Sequence, residues 1–329
     1  MTIYDIATNL GVSAATVSLA LNGDRRGAGK TRGRILEYAD KHGFKRNEQA
    51  RNFRLRRTNN VALVVHNIDN DFWHGVVKAI EEALGDSFNV ILCNTDGDPA
   101  KERRIFHNLM QRKVDGIIVQ PASADERMFE ETIRGGIALV SLEETENELI
   151  SFVKGNDFKS ARRLTEACIM AGHRRIAFLS FHFDCVGLNE RIRGFKAAAE
   201  NAGIAEECEV FVAEEISFEA VERIFGDRTG DFSLVIGSDD RIACQLLRVL
   251  AARQVRVPEE LSVIGWNNSR FLEYLTPTLS SVAIPMPEIG RRAAEIILKN
   301  LDHGPAVAKE YVDEQIFLRE SFAPFQLSK

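Results

Sequence analysis

The sequence has no run of roughly 18 consecutive apolar residues, the length a membrane-spanning helix requires. Its start, Met1-Thr2-Ile3-Tyr4-Asp5, lacks the basic and apolar segments of a secretory leader. Cysteine is scarce and odd in number, at positions 93, 168, 185, 208 and 244, and no CxxC pair occurs. That excludes a disulfide-stapled scaffold and fits buried thiols in a reducing cytoplasm. Metal-ligand spacing is missing too. The nearest approach, His182-Phe183-Asp184-Cys185, has no second cluster to complete a four-coordinate site, so neither metal nor cofactor is expected. No GxSxG elbow, Walker-type phosphate loop or HExxH helix is present, so no enzyme is expected. His173, in Gly172-His173-Arg174-Arg175, falls in a helix-to-strand turn and reads as structural.

What is present describes a multidomain globular chain. The 329 residues are 45% apolar and 27% charged, and the length suggests two or three domains. The net charge of −6 is unevenly placed. Residues 1–59 hold 12 of the 42 basic and 5 of the 48 acidic residues, a surplus of +7, which leaves −13 on the remainder. A basic head on an acidic body implies that the head alone meets a polyanion.

In the head, Ile3, Ile6, Ala7 and Leu10 share one helical face, and Thr2 with Asp5 resembles a capping box. Gly11 breaks the pattern. Ser13 can cap a second helix with apolar positions Val17, Ala20 and Leu21. The spacing of Ala7, Gly11 and Val17 fits a helix-turn-helix, the alternative being an ordinary helical hairpin. The segment Asn47 to Thr58 is basic, lacks Pro and Gly, and is too short to be a stable helix alone.

From Val61 the pattern changes to short apolar runs separated by amphipathic stretches. The runs are 61–65, 89–93, 116–119, 138–142, 175–179, 209–212, 234–236 and 262–266. Such alternation predicts an α/β fold with two parallel sheets, hence two lobes. Ligands of open α/β sheets bind beyond the carboxyl ends of strands. Phe72, Trp73, Glu143, Asp239, Asp240, Trp266 and Asn267 follow predicted strands and are candidates, as is Arg191 at the start of a later helix. The alternatives are core packing for Trp73 and Trp266, a helix cap for Asp240 and a solvated loop for Glu143-Glu144. Taken together, the rings, the Arg and the Asp/Asn groups resemble a sugar site, where Trp stacks on the ring and planar groups bind hydroxyls.

The head carries Tyr4-Asp5-Ile6-Ala7, Gly11-Val12-Ser13, Thr16-Val17-Ser18, Leu21-Asn22, Lys30-Thr31-Arg32 and Asn47, and the chain ends with Arg319-Glu320-Ser321. In these motifs it resembles the lactose/galactose repressor (LacI/GalR) family along its whole length. The resemblance implies a helix-turn-helix DNA-binding domain over 1–46 and a hinge over 47–59. It also implies a type I periplasmic-binding-protein-like effector and dimerisation domain over 60–329. Lobe one is expected over about 60–158 and 290–318, and lobe two over about 159–285 and 319–329.

The resemblance assigns base reading to Ala14, Ala15 and Leu19. The family commonly has Arg where Leu19 stands, so contact with thymine methyls is expected in place of guanine readout, unless Leu19 faces the head's own core. Tyr4, Ser13, Thr16, Ser18 and Thr31, with Asn22 and Lys30, are expected to position the head on DNA, largely through phosphates. In the hinge, Ala50, Arg51, Phe53 and Arg54 are expected on DNA, with Phe53 as a minor-groove wedge where Leu is usual.

Arg191 matches the family's effector-binding arginine. Asp71, Glu143 and Asn267 stand where Pro, Asp and Asp are common. The implied partners are a pseudo-palindromic double-stranded operator, a second copy of the chain, and a small-molecule effector, a sugar or polyol. A purine-like co-repressor, or a cytoplasmic sugar-binding module without regulation, is the alternative. A cytoplasmic repressor without membrane contact is the resulting expectation.

Overall fold

The computed structural model describes residues 1–21, 29–44, 57–68, 73–123, 125–182 and 186–325. Asn22, Ala50, Arg51, Phe53, Arg54 and Phe72, expected above to touch DNA or effector, lie outside these residues. So does most of the expected hinge. The chain divides into two compact units, residues 1–58 and 59–329.

The first unit holds α1 (Ile3–Leu10), α2 (Ala14–Leu21) and α3 (Gly29–Lys41). Thr2 and Asp5 form a reciprocal cap on α1. The Thr2 N–H donates to Asp5 Oδ2 at 2.7 Å, and the Asp5 N–H to Thr2 Oγ1 at 3.3 Å. Gly11 ends α1 at a φ of +66°, a left-handed conformation that suits residues without a Cβ. Ser13 accepts from the Thr16 N–H at 3.1 Å and so starts α2. Ile6, Ala7, Val17, Ala20, Ile35 and Ala39 close the core between the helices.

The second unit contains two six-stranded sheets among the described residues. The first runs in the order β11-β5-β4-β3-β1-β2, with β1 (Asn60–Val65), β2 (Asn89–Asn94), β3 (Gly116–Val119), β4 (Ala138–Ser141), β5 (Ser151–Gly155) and β11 (Lys309–Val312). All its pairings are parallel. The second is ordered β12-β10-β9-β8-β6-β7. It comprises β6 (Ile176–Phe181), β7 (Cys208–Ala213), β8 (Leu234–Gly237), β9 (Ser262–Trp266), β10 (Ser280–Ala283) and β12 (Gln315–Phe317). Only its β10–β12 pairing is antiparallel.

Strands such as β8, and β1 after its first residue, are apolar because helices cover both sheet faces. In lobe one α4 (Trp73–Leu84) and α5 (Pro99–Gln111) cover the sheet. In lobe two α7 (Asp157–Met170), α8 (Val186–Asn201) and α10 (Asp240–Ala252) do so. Helices α6 (Arg127–Arg134) and α9 (Phe218–Phe225) complete the two lobes.

The chain crosses between lobes three times: after β5, after β10 and between β11 and β12. The last crossing falls at 313–314, before the expected 318, because β12 pairs with β10 and Ile316 packs into the second lobe's core. Helix α11 (Met286–His303) begins four residues before the expected Gly290 and returns to lobe one, packing Ile289, Ala293 and Ile297 on the core shared with α4. No helix among the described residues is long and apolar enough to cross a membrane.

Candidate functional site

On the head, Leu19 is 46% exposed and Tyr4 67%, so the core-facing alternative for Leu19 does not hold. Ala15 and Lys30 are exposed and Ala14, Ser18 and Thr31 half-buried, with Ala14 packed partly on the head's core. The Ser13 and Thr16 hydroxyls lie 2.8 Å apart and serve the start of α2. The outer surface of α2 thus offers methyl and isobutyl groups without a charge.

In the body, a cavity of about 290 Å³ lies between the lobes. Its walls are the residues that follow the carboxyl ends of strands in both sheets, the position at which α/β sheets bind ligands. Lobe one supplies His66 and Asn67 after β1, Gln120 after β3, Glu143 after β4, Lys154 at the end of β5, and Trp73 at the start of α4. Lobe two supplies Asp157, Arg191, Ser238, Asp239, Arg241 and Asn267, with Phe181 at the end of β6. The crossover residues Ile284 and Met286 form part of its apolar lining.

The cleft's charges are interlocked. Lys154 Nζ lies 3.6 Å from Glu143 Oε2 and 3.5 Å from Asp157 Oδ2. Burial pushes the Lys154 ammonium down, but Glu143 and Asp157 outweigh it and hold its pKa above the usual lysine range. Burial pushes the Glu143 carboxyl up, against the opposing pull of Lys154. Arg191 Nε donates to Asp157 Oδ1 at 2.8 Å and Nη1 to the Ser238 carbonyl at 2.6 Å, while its guanidinium lies 4.7 Å from the centre of the Trp266 ring.

Asp239 Oδ2 accepts from Arg241 Nε at 2.9 Å and Nη2 at 2.6 Å, and Oδ1 caps α10 through the Ile242 N–H at 2.9 Å. His66 Nε2–H donates to the Pro121 carbonyl at 2.5 Å, and burial lowers its pKa. Behind the wall, with Ser160 beside it, the Glu314 carboxyl is buried, 6% exposed. A Cβ on Gly155 would sit 2.2 Å from its Oε1. Burial, reinforced by the charge of Asp157, pushes the Glu314 carboxyl up.

Of the sequence candidates, Trp73, Glu143, Arg191, Asp239 and Asn267 converge on this cavity, and Asp240 and Trp266 do not line it. Trp266 is 0% exposed in the core under β9 and touches the site through Arg191. Alternation along β9 turns its side chain into the lobe where Asn267, one residue on, reaches the cleft. The helix cap considered for Asp240 belongs to Asp239. Asp240 instead accepts from the Ser269 N–H at 2.7 Å and the Ser281 hydroxyl at 2.6 Å, and burial raises its pKa to about 7.

Asp240 thereby steadies the loop in which Asn267 and Asn268 have φ of 105° and 54°. The Asn268 N–H donates to Ser281 Oγ at 3.0 Å and Arg319 Nη2 to Asn268 Oδ1 at 2.7 Å, so Arg319 of the terminal motif is an anchor of this loop. Glu143 is not a solvated loop residue. His173 is structural: Nδ1 meets Ser233 Oγ at 2.9 Å and Nε2 the Ala323 carbonyl at 3.0 Å. No group of three metal-capable side chains occurs among the described residues.

Sequence reasoning missed Lys154, Asp157, Arg241 and Glu314. Lys154 lies within β5 and Asp157 just after it, and because that lysine interrupts the strand it does not read as an apolar run.

Comparison with known proteins bears on both units. The family model described as bacterial regulatory proteins, lacI family, matches residues 2–47, and that of a periplasmic binding protein-like domain matches residues 165–322. The HTH-type transcriptional regulator DegA of Bacillus subtilis is 31% identical, with 98% of each chain covered. The HTH-type transcriptional repressor PurR of Vibrio atlanticus is 30% identical over 92% of this chain and 93% of the relative. Among solved structures, the transcriptional regulator CelR–cellobiose complex superposes with a TM-score of 0.70 at 25% identity, covering 98% of this chain and 100% of that one.

Proposed function

The chain belongs to the LacI family of bacterial regulatory proteins, and from that premise we propose a repressor whose hold on operator DNA is set by a small carbohydrate bound between the lobes. It is a DNA-binding transcriptional regulator. The observation that carries the carbohydrate reading is the convergence of Arg191, Asp239 and Asn267 beside Trp73. Planar groups of this kind bind vicinal hydroxyls, and an indole gives a flat apolar face for a sugar ring. The cavity of about 290 Å³ stands at the low end of ligand pockets and suits a mono- or disaccharide-sized molecule. CelR, similar over its full length, is a cellobiose complex.

A second reading is a purine-like co-repressor, whose flat base would stack on Trp73 and meet Arg191. The interior placement of Trp266 weakens it, because one of the two expected flat plates is withdrawn from the cleft. Two chains acting as a dimer would place two α2 helices on a pseudo-palindromic operator, with Ala15 and Leu19 toward thymine methyls. Ligand binding would shift operator affinity by its preference for one lobe arrangement over the other.

A panel of pentoses, hexoses, cellobiose and nucleobases, followed by tryptophan fluorescence and by operator gel shift, tests this. Trp73 reports directly from the cleft and Trp266 through Arg191. A sugar that changes the fluorescence and releases DNA is the expected result. A nucleobase that does so, or that tightens DNA binding while sugars do nothing, overturns the carbohydrate reading. Retention of specific DNA binding after deletion of residues 1–59 would overturn the assignment of DNA binding to the head.

A further inference from the structure

Among the described residues, three lysine or arginine side chains line the cleft: Lys154, Arg191 and Arg241. Each is engaged by a carboxylate of the chain. Lys154 has Glu143 and Asp157, Arg191 has Asp157, and Arg241 has Asp239. The His66 Nε2–H is committed to the Pro121 carbonyl, and burial disfavours a charge on its ring. Two of the helix N-termini at the cleft are likewise occupied from within. Asp239 accepts from the first turn of α10, and Asp157 is the first residue of α7. These are the places where a bound anion would otherwise find backbone N–H groups and the positive end of the helix dipole. Glu314, buried behind Gly155 near Asp157, adds acid and no cation.

We propose that the cleft selects uncharged polyhydroxylated effectors and excludes their anionic counterparts, the sugar phosphates and uronates, because its cations are already neutralised by the chain's own carboxylates. The inference rests on the carbohydrate reading and refines it. A phosphate or carboxylate entering the site would surrender hydration without meeting a cation free to compensate it, and would approach Glu143, Asp157 and Asp239. A neutral hydroxyl meets no such penalty. It can donate to a carboxylate oxygen and accept from a guanidinium N–H within the existing pairs.

The test is calorimetric titration of the full chain. Pentoses, hexoses and cellobiose are compared with the phosphate and uronate forms of whichever sugar binds. At neutral pH the anionic forms are expected to bind at least tenfold more weakly than the parent sugar. Asp239→Asn keeps an oxygen for the α10 cap and removes the charge facing Arg241, so it should narrow the gap at least threefold by admitting the anion. Glu143→Gln, which relieves Lys154, should act in the same direction on a different cation. An anionic form that binds the wild type as tightly as its parent sugar overturns the proposal. So does a gap left unchanged by both variants. Binding of a nucleobase with no sugar bound defeats the carbohydrate reading itself, a separate outcome.

Discussion

The head and the body handle charge in opposite ways. The exposed side of α2 carries no charge, and the head's basic residues all come later, from Arg25 onward. At its cleft the body draws charges inward and pairs them, so that Lys154 and Asp157 are almost fully buried yet interlocked between the lobes. The difference follows from the size of the partner. A polyanion tens of ångströms long can be held by loosely placed cations, leaving shape and methyl contacts to sort sequence. A small ligand gives few contacts, so the groups that meet it must be held in position before it arrives.

The strongest way to break this comparison is to unpair the body's charges. Arg191→Ala leaves Asp157 without its 2.8 Å partner beside Glu314. Effector binding should fall at least a hundredfold by calorimetry, and stability by roughly 3 to 5 kcal/mol in denaturant unfolding. Retained binding would show that the paired network is incidental.

The next effect is a pH dependence. Burial raises the Asp240 carboxyl from 3.8 to about 7, so the folded chain keeps a proton that the unfolded chain has released. Stability is therefore greatest below the unfolded value, declines as pH rises between about 4 and 7, and has lost this contribution above 7, on the order of 4 kcal/mol at most. In Asp240→Asn that component of the slope should vanish, as followed by thermal unfolding across pH. An unchanged slope would assign it to other groups.

Ile6→Ala tests the separateness of the two units. Ile6 is fully buried in a small core, and its truncation should cost about 2 to 5 kcal/mol. Calorimetry should show the head's transition lowered or lost and the body's in place, with DNA binding weakened and effector affinity unchanged. A single shifted transition would mean that the units unfold together.

The smallest effect concerns sequence readout. Leu19→Arg places a bidentate donor on the exposed side of α2, and selection from random DNA should move that operator position toward guanine, by about 1 to 3 kcal/mol of discrimination. An unaltered preference would remove Leu19 from the reading face.

How much of this was legible follows the same division. In the head, local chemistry decides the structure: Thr2 with Asp5, Gly11 and Ser13 each act within three or four residues, and each does so as the sequence suggests. In the body, the apolar runs at 61–65 and 234–236 announce strands because both faces are covered. Strand β5 does not, since Lys154 interrupts it and is tolerated only because Glu143 and Asp157 meet it. Glu143 comes from the end of another strand, and Asp157, although three residues on, belongs to a helix of the other lobe, so the strand pattern encodes neither. Trp266 illustrates a finer limit. One residue of alternation decides between cavity and core, and strand phase was not fixed by the position of a strand end.

The three crossings between lobes have a mechanical consequence. Gly155 pairs with Val312 in one sheet and Ala283 with Gln315 in the other, so the three segments run side by side, with the last between the first two. Three short tethers in a row resist separation, sliding and twist, and leave one soft coordinate, rotation about the line that joins them. Asp157 and Glu314 sit on or next to that line, where displacement is least. They can set the torque that favours one lobe angle while scarcely travelling themselves, and the large excursion is left to the far rim of the cleft.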